Sequence, residues 1–366
     1  VKTIGWFFLV SRLPALLVLG FLGLGLAAAG ATGDSDERPS VSPALDLGTQ
    51  PLGFPAGVIS AVMARDRLLR NALAATNEPL QIHPFRSGAE MVALLDDGRL
   101  EAGLLGDMPT LLAACTGQVW IAGLVKQAPT MLIAKGATRV QDLVGKRVGY
   151  ADESSAHLAL LQGLATAGLD VAQVRLVPLP IDAMPAALAA GTIEAFAAWE
   201  PAPTIALSHS RENRIVFQAP STDYFVIGRA FASRSPESAH QLMASLVRAL
   251  DWLRRSRDHR EQAARWALVD ATAFAGPLPS LAPPISVAQL VTITLRDILT
   301  VPSAPAIQRR PDHPPLKSEF EFLERCGKLP VGATWAGVAA AFDNDWIARV
   351  LADPRHYQLA TFDYAD

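Results

Sequence analysis

Two cysteines in 366 residues are too few for a disulfide framework. No C-x-x-C and no His/Cys cluster with zinc spacing occurs, so nothing in the chain suggests a metal, and no cofactor motif stands out. Charge is scarce as well. Charged residues make up 18% of the chain, the net charge is −3, and no Lys/Arg block is present that could track a phosphate backbone. Arg254-Arg255 and Arg309-Arg310 are isolated pairs that read as solvated helix or loop charges, so no nucleic-acid partner is expected. No solenoid-period repeat is visible. Half the residues are apolar, which fits a packed α/β protein, and the length suggests two lobes rather than one simple core.

The N-terminus carries a strong signal. Lys2 and Arg12 precede the apolar run Leu13–Ala29, small residues follow through Ala31, and a polar, Pro-containing stretch comes next. That order is a secretory signal over residues 1–31, followed by a linker over 32–43. Two readings stand at this point: cleavage near Ala29 or Ala31, which the A-x-A-like site favours, or an uncleaved anchor, since Ile4–Ala29 could just span a bilayer. Either places the protein outside the cytoplasm, where a bridge is permitted. Cys115 on an apolar helix and Cys326 near the tail nevertheless fit buried or free thiols better.

The most informative stretch is Asp142–Pro201. A strand over Arg147–Tyr150 breaks into the polar loop Ala151-Asp-Glu-Ser-Ser-Ala-His157, which opens a helix ending at Gly168. A strand over Val174–Pro178, a helix over Met184–Ala190 and a strand over Ala195–Trp199 follow. The unit stops on Trp199-Glu200-Pro201. This is βαβαβ, the unit of a parallel sheet, and its loops lie at the strands' carboxyl ends, where open α/β sheets bind ligands. Upstream, the spacing predicts a strand over Ala44–Pro51, a helix over Val58–Leu73, a strand over Leu80–Phe85 and a helix over Gly88–Leu95 with Ser87 and Glu90 as a capping box. Ala102–Leu105 is a short buried strand, and Gly106-Asp107-Met108-Pro109 turns into a helix over Thr110–Ala114. Val119–Leu124, Met131–Ala134, Arg214–Ala219 and Tyr224–Gly228 read as separate extended segments. From Pro236 the pattern is helical: Pro236–Arg255, Arg260–Leu268, Val287–Leu299, Leu316–Cys326 and Trp335–Leu351, interrupted by loops at Gly276–Pro284 and Val301–Pro315.

Asp142-Leu-Val-Gly-Lys-Arg-Val-Gly149, Ser154-Ser-Ala-His157, Trp199-Glu-Pro201 and the Arg99–Pro109 segment, in that combination, resemble the periplasmic solute-binding proteins of ABC importers for nitrate, taurine and aliphatic sulfonates. That group is similar to the thiamine-pyrimidine-precursor binding proteins. The resemblance runs from about Leu45 to Trp252. It implies the type II periplasmic binding fold, with two α/β lobes, a ligand cleft and two crossovers. Lobe I would comprise 44–134 plus 222–366 with the helical C-terminal part, and lobe II 135–221. It also implies a monomer that delivers a small anion to importer permease subunits. The cysteine-rich motif of the pyrimidine-synthase relatives is absent, and no G-x-S-x-G elbow accompanies Ser155 and His157, so an enzyme is not expected.

The resemblance points to three places. Ser154, Ser155, Ala156 and His157 would receive the anion, since amides at a helix start attract negative charge and the hydroxyls add donors. Gly106, Asp107 and Met108 would line the first-lobe wall, and Trp199 with Glu200 would close the other side. Phe54 and Tyr224 are candidate apolar walls. Each has a structural alternative: one serine as N-cap, His157 as a surface residue, Asp107 as a helix cap, Trp199 as core. Glu200 would ask for a cation or N–H donor on the ligand, as an amino-sulfonate such as taurine provides, or would instead bond backbone N–H groups at a hinge. Besides an importer's binding protein, a membrane-tethered sensory or partner-docking protein on the same fold fits these features.

Overall fold

The computed structural model describes residues 44–275, 285–300 and 314–365. The signal and linker expected over 1–43, and most of the two loops expected at Gly276–Pro284 and Val301–Pro315, lie outside them. Among the described residues no helix is long and apolar enough to cross a membrane.

Two βαβαβ units share one sheet. The first comprises β1 (Leu45–Thr49), α1 (Ala56–Ala64), α2 (Arg67–Ala75), β2 (Leu80–Pro84), α3 (Ala89–Asp96), β3 (Ala102–Gly106) and α4 (Asp107–Cys115), and passes into the long β4 (Val119–Lys135). The second comprises β5 (Arg147–Tyr150), α5 (Ser155–Thr166), β6 (Arg175–Pro178), α6 (Met184–Ala189), β7 (Ala195–Ala198) and α7 (Ala202–His209), and passes into the long β8 (Asn213–Gly228). The described strands form a sheet of order β2-β1-β3-β8-β4-β7-β5-β6. Each unit contributes three parallel strands, and β8 and β4 lie between them, antiparallel to each other, with β8 antiparallel to β3 and β4 antiparallel to β7. The strand leaving each unit therefore pairs with the other unit, so the chain passes between the two halves along β4 and back along β8.

The four extended segments expected around these crossings are two continuous strands. The sequence breaks at Pro129 and Pro220 because a proline cannot donate to a ladder. In the fold the two prolines face each other across the β4–β8 pair, so both missing donors fall on one rung.

The helix expected over Val58–Leu73 is two helices. Asp66 ends the run: it is fully buried, and its Oδ1 accepts the Leu69 amide at 3.2 Å as the N-cap of α2. A buried Asp with an N-cap role overrides apolar periodicity. Near α3, Glu90 accepts from both the Ser87 amide and hydroxyl, while Gly88 occupies the N-cap position, so the box is present only in part. The helix α7, beyond Trp199-Glu200-Pro201, was not expected from the sequence.

After β8 come α8 (Arg229–Arg234), α9 (Pro236–Arg255), α10 (Arg257–Ala275), α11 (Val287–Thr300), α12 (Pro314–Arg325), α13 (Trp335–Ala339) and α14 (Asp345–Ala352). The final helix expected over Trp335–Leu351 thus divides in two, where Phe342 bridges to Ile121 of β4. Three apolar cores result. One packs β1, α1 and α2 against α9, α10, α11 and α14; a second packs α4 against α12 and α13; a third belongs to the second unit. The C-terminal helices therefore bury the outer faces of the first unit. Cys115 and Cys326 are free thiols, the former half-buried and the latter exposed, so no disulfide joins them.

Candidate functional site

The loops leaving β1, β3, β5 and β7 converge on one narrow cavity with room of about 20 Å³. Its lining includes Gln50, Gly53 and Ala56 after β1, Gly106 and Pro109 after β3, Ser154 and Ser155 after β5, and Trp199 after β7. Gly88, the N-cap of α3, adds a further wall. The N-terminal ends of α1, α3, α4 and α5 therefore meet at this cavity. A helix N-terminus carries a partial positive charge and amides without intrahelical acceptors; here the Gly57, Val58, Met91, Met108 and His157 amides already have acceptors in the preceding loops or on adjacent side chains.

Lys126 and Asp223 complete the lining. They are register partners on β4 and β8, both buried, with Lys126 Nζ 3.0 Å from Asp223 Oδ1. The ion pair therefore sits on the two strands that join the halves of the sheet.

At the anion loop, Ser154 is the N-cap of α5: its Oγ accepts the His157 amide at 3.4 Å and donates to the Ala151 carbonyl at 2.6 Å. The Ser155 side chain lies beside the Asp107 carboxylate of the first unit and works against the rise that burial imposes on its pKa. The two loops approach so closely that a Cβ on Gly106 would lie 2.3 Å from Ser155 Oγ, which accounts for glycine there. Gly53 is similarly constrained, since its Cβ would lie 2.9 Å from the indole Nε1 of Trp199.

The candidate residues separate into two groups. Gly106, Ser154, Ser155 and Trp199 line the cavity. Asp107 stands behind the wall, fully buried, accepting the Met108 amide at 2.7 Å and the Thr222 amide at 3.3 Å. Burial raises its pKa, against Ser155 and the hydrogen bond from the Met108 amide. Met108 is core, and Ala156 packs in the core of the second unit. His157 is turned into its own loop, with Nδ1 2.8 Å from Asp152 Oδ1 and its ring edge-on to Tyr150; burial holds its pKa down.

Glu200 is buried but does not line the cavity. Its Oε2 accepts the Thr204 amide at 3.2 Å in the first turn of α7, and its Oε1 lies 3.6 Å from Arg296 of α11. Its main-chain carbonyl accepts the Phe54 amide at 3.0 Å, which links the loops after β7 and β1. The backbone-bonding alternative for this residue matches that geometry. Phe54 lines a separate apolar cavity with Leu52, Ile181 and Pro201. Tyr224 is buried behind the ion pair, accepts from the Thr222 hydroxyl at 3.2 Å, and meets Phe342 edge-on.

Gln50, Lys126 and Asp223 were not singled out from the sequence. The available signal was a Lys following the apolar run Val119–Val125 and an Asp preceding the apolar run Tyr224–Ile227.

The taurine-binding periplasmic protein of Escherichia coli strain K12 is 30% identical over 175 residues, covering 45% of this chain and 54% of that protein. The chain spans about half the length of the curated relatives it matches. Among solved structures, the alkanesulfonate-binding protein SsuA from Xanthomonas axonopodis pv. citri, bound to MOPS, superposes with a TM-score of 0.62 at 22% identity, over 83% of this chain and 99% of that one. The desulfurization enzyme DSZB has the same fold, with a TM-score of 0.53 at 18% identity over 86% and 100% of the two chains. The fold is thus that of periplasmic binding proteins and also carries an enzyme. The model of the NMT1-like family matches residues 70–268, more than half of the sequence, and the chain belongs to that family.

Proposed function

We propose that this protein is an extracytoplasmic solute-binding protein that captures a small organic anion and delivers it to the permease subunits of an ABC importer. The ligand class is a sulfonate or a taurine-like amino-sulfonate, as the names of the matched relatives suggest, or nitrate, as the sequence resemblance implies. The observation that carries this reading is the meeting of four helix N-termini with Lys126 at one cavity. Helix N-termini contribute about 0.3–1 kcal/mol each to a nearby anion. A micromolar affinity requires about 8 kcal/mol, so Lys126 and enclosure of the ligand's apolar stem must supply much of the rest.

In this reading residues 44–134 with 222–366 form one lobe and 135–221 the other, hinged on β4 and β8. The rung at Pro129 and Pro220 lacks both donors and is the natural place for the pair to flex. Arg86–Asp182 at 2.7 Å, the Phe54 amide on the Glu200 carbonyl, and Ser155 on Asp107 are contacts between the units that opening would break. A ligand touching both sides favours the closed state by its differential affinity. Binding is favoured over catalysis because the His157 ring is turned to Asp152, so no histidine stands on Ser154 or Ser155. Export rests on the basic and apolar segment of residues 1–31, and the working unit is a monomer.

Calorimetric titration and thermal shift of the ligand-stripped full chain with taurine, propane-1-sulfonate and nitrate test the reading. At least one should bind with a dissociation constant near micromolar. A folded sample that responds to none of them excludes it.

A further inference from the structure

We propose that the Arg86–Asp182 ion pair is a latch that keeps the two units shut against entry, so that it limits how fast a solute reaches the cavity without touching the solute. This rests on the anion-binding reading above. As the units stand, the inner cavity has room of about 20 Å³, the space of about one water. An organic anion therefore enters only when the units part, and a conformational step of that kind lowers an association rate. Neither Arg86 nor Asp182 lines the inner cavity.

Outside it lies a wider cavity with room of about 290 Å³, lined by Arg86, Ser87 and Glu90 of the first unit and by Tyr150, Asp152 and Ile181 of the second. The two cavities adjoin, since Ser87 precedes Gly88 and Asp152 stands two residues before Ser154 of the inner lining. The latch spans this outer space, with Arg86 Nη1 2.7 Å from Asp182 Oδ2. It has support that an ordinary surface pair lacks. The Asp182 side chain is 13% exposed and also borders the apolar cavity beside Phe54, so one side of its carboxylate meets little water. The Arg86 guanidinium lies over the Phe274 ring of α10, 5.5 Å from the centroid, which steadies the side chain. A second ion pair between the units is weaker by its geometry. Arg296 stands 3.6 Å from Glu200 and is shared with Asp297, while Glu200 also accepts the Thr204 amide. Parting the units there leaves both residues with partners; parting them at Arg86 takes the cation from Asp182.

Stopped-flow fluorescence of the full chain, with Trp199 in the lining as reporter, measures entry of whichever of taurine, propane-1-sulfonate and nitrate binds most tightly. Arg86→Gln and Asp182→Asn should each raise the association rate about three- to fivefold, the size of a part-exposed ion pair. The exchanged pair, Arg86→Asp with Asp182→Arg, should return the rate to within about twofold of wild type. Arg86→Ala takes the place of Arg86→Gln if that variant does not fold by circular dichroism. An arginine that merely steered anions would give opposite signs, slower entry in Arg86→Gln and faster entry in Asp182→Asn. That result, or unchanged rates in both variants, overturns the latch and leaves the anion reading standing. Failure of every anion to bind removes that reading and this inference with it.

Discussion

Two buried ion pairs in this protein do different things. Arg248 and Asp66 are both 1% exposed, and each guanidinium nitrogen has an acceptor: Arg248 donates twice to Asp66 Oδ2, at 2.7 and 3.0 Å, and once to the Tyr357 carbonyl at 2.7 Å. Asp66 Oδ1 meanwhile caps α2. The pair ties α2 to α9 and to the C-terminal turn, with all three guanidinium nitrogens engaged. Lys126 and Asp223 share one contact and face a cavity. A buried pair whose hydrogen bonds are all internal is scaffold; one with spare capacity beside empty space can exchange partners with a ligand.

Breaking the scaffold pair should have the largest effect. Asp66→Ala leaves Arg248 buried and unpaired, and should lower stability by about 3–5 kcal/mol in urea denaturation. The fraction that remains folded should keep its ligand affinity. Lys126→Met is the reverse experiment: it should weaken anion binding about a hundredfold by calorimetry, and should also cost some stability because Asp223 is left buried without its cation. If the two variants lost stability equally and Lys126→Met bound normally, the distinction between the pairs would fail.

Glu319 sharpens the contrast from the side of pH. Burial first, and then the nearby Asp107, raise its pKa well above the ordinary 4.5. The native state therefore holds a proton that the unfolded chain gives up. The stabilisation is complete below about the ordinary value and is lost as pH rises through the raised one. Urea midpoints from pH 5 to 8 should fall with a slope of up to about 1.4 kcal/mol per pH unit from this group, and Glu319→Gln should flatten it. The smallest effect belongs to Glu200→Gln. The variant keeps an acceptor for the Thr204 amide and loses only the charge facing the half-exposed Arg296, so about 0.5–1 kcal/mol of stability should go. The ratio of taurine to propane-1-sulfonate affinity should not move; a changed ratio would return Glu200 to the ligand.

The second βαβαβ unit was legible because each short apolar strand is bounded by polar or glycine turns. The strand over Arg147–Tyr150 appears with the bounds its pattern implied. Ser154, Ser155, Gly106 and Trp199 were legible for the same reason, since loops at strand ends announce themselves. Lys126 and Asp223 were hidden because only the antiparallel register of two distant strands sets them opposite, and Pro129 and Pro220 disguised those strands as fragments. Glu200 drew attention at a strand end, but the sequence did not reveal α7, whose first amides engage the carboxylate.

The most direct measurement is a crystal structure of the protein with an amino-sulfonate bound. Sulfonate oxygens on the Ser155 and Ala156 amides and on Lys126 Nζ are the expected result. A ligand lodged in the apolar cavity beside Phe54, or one that leaves the Lys126–Asp223 contact untouched, would contradict it.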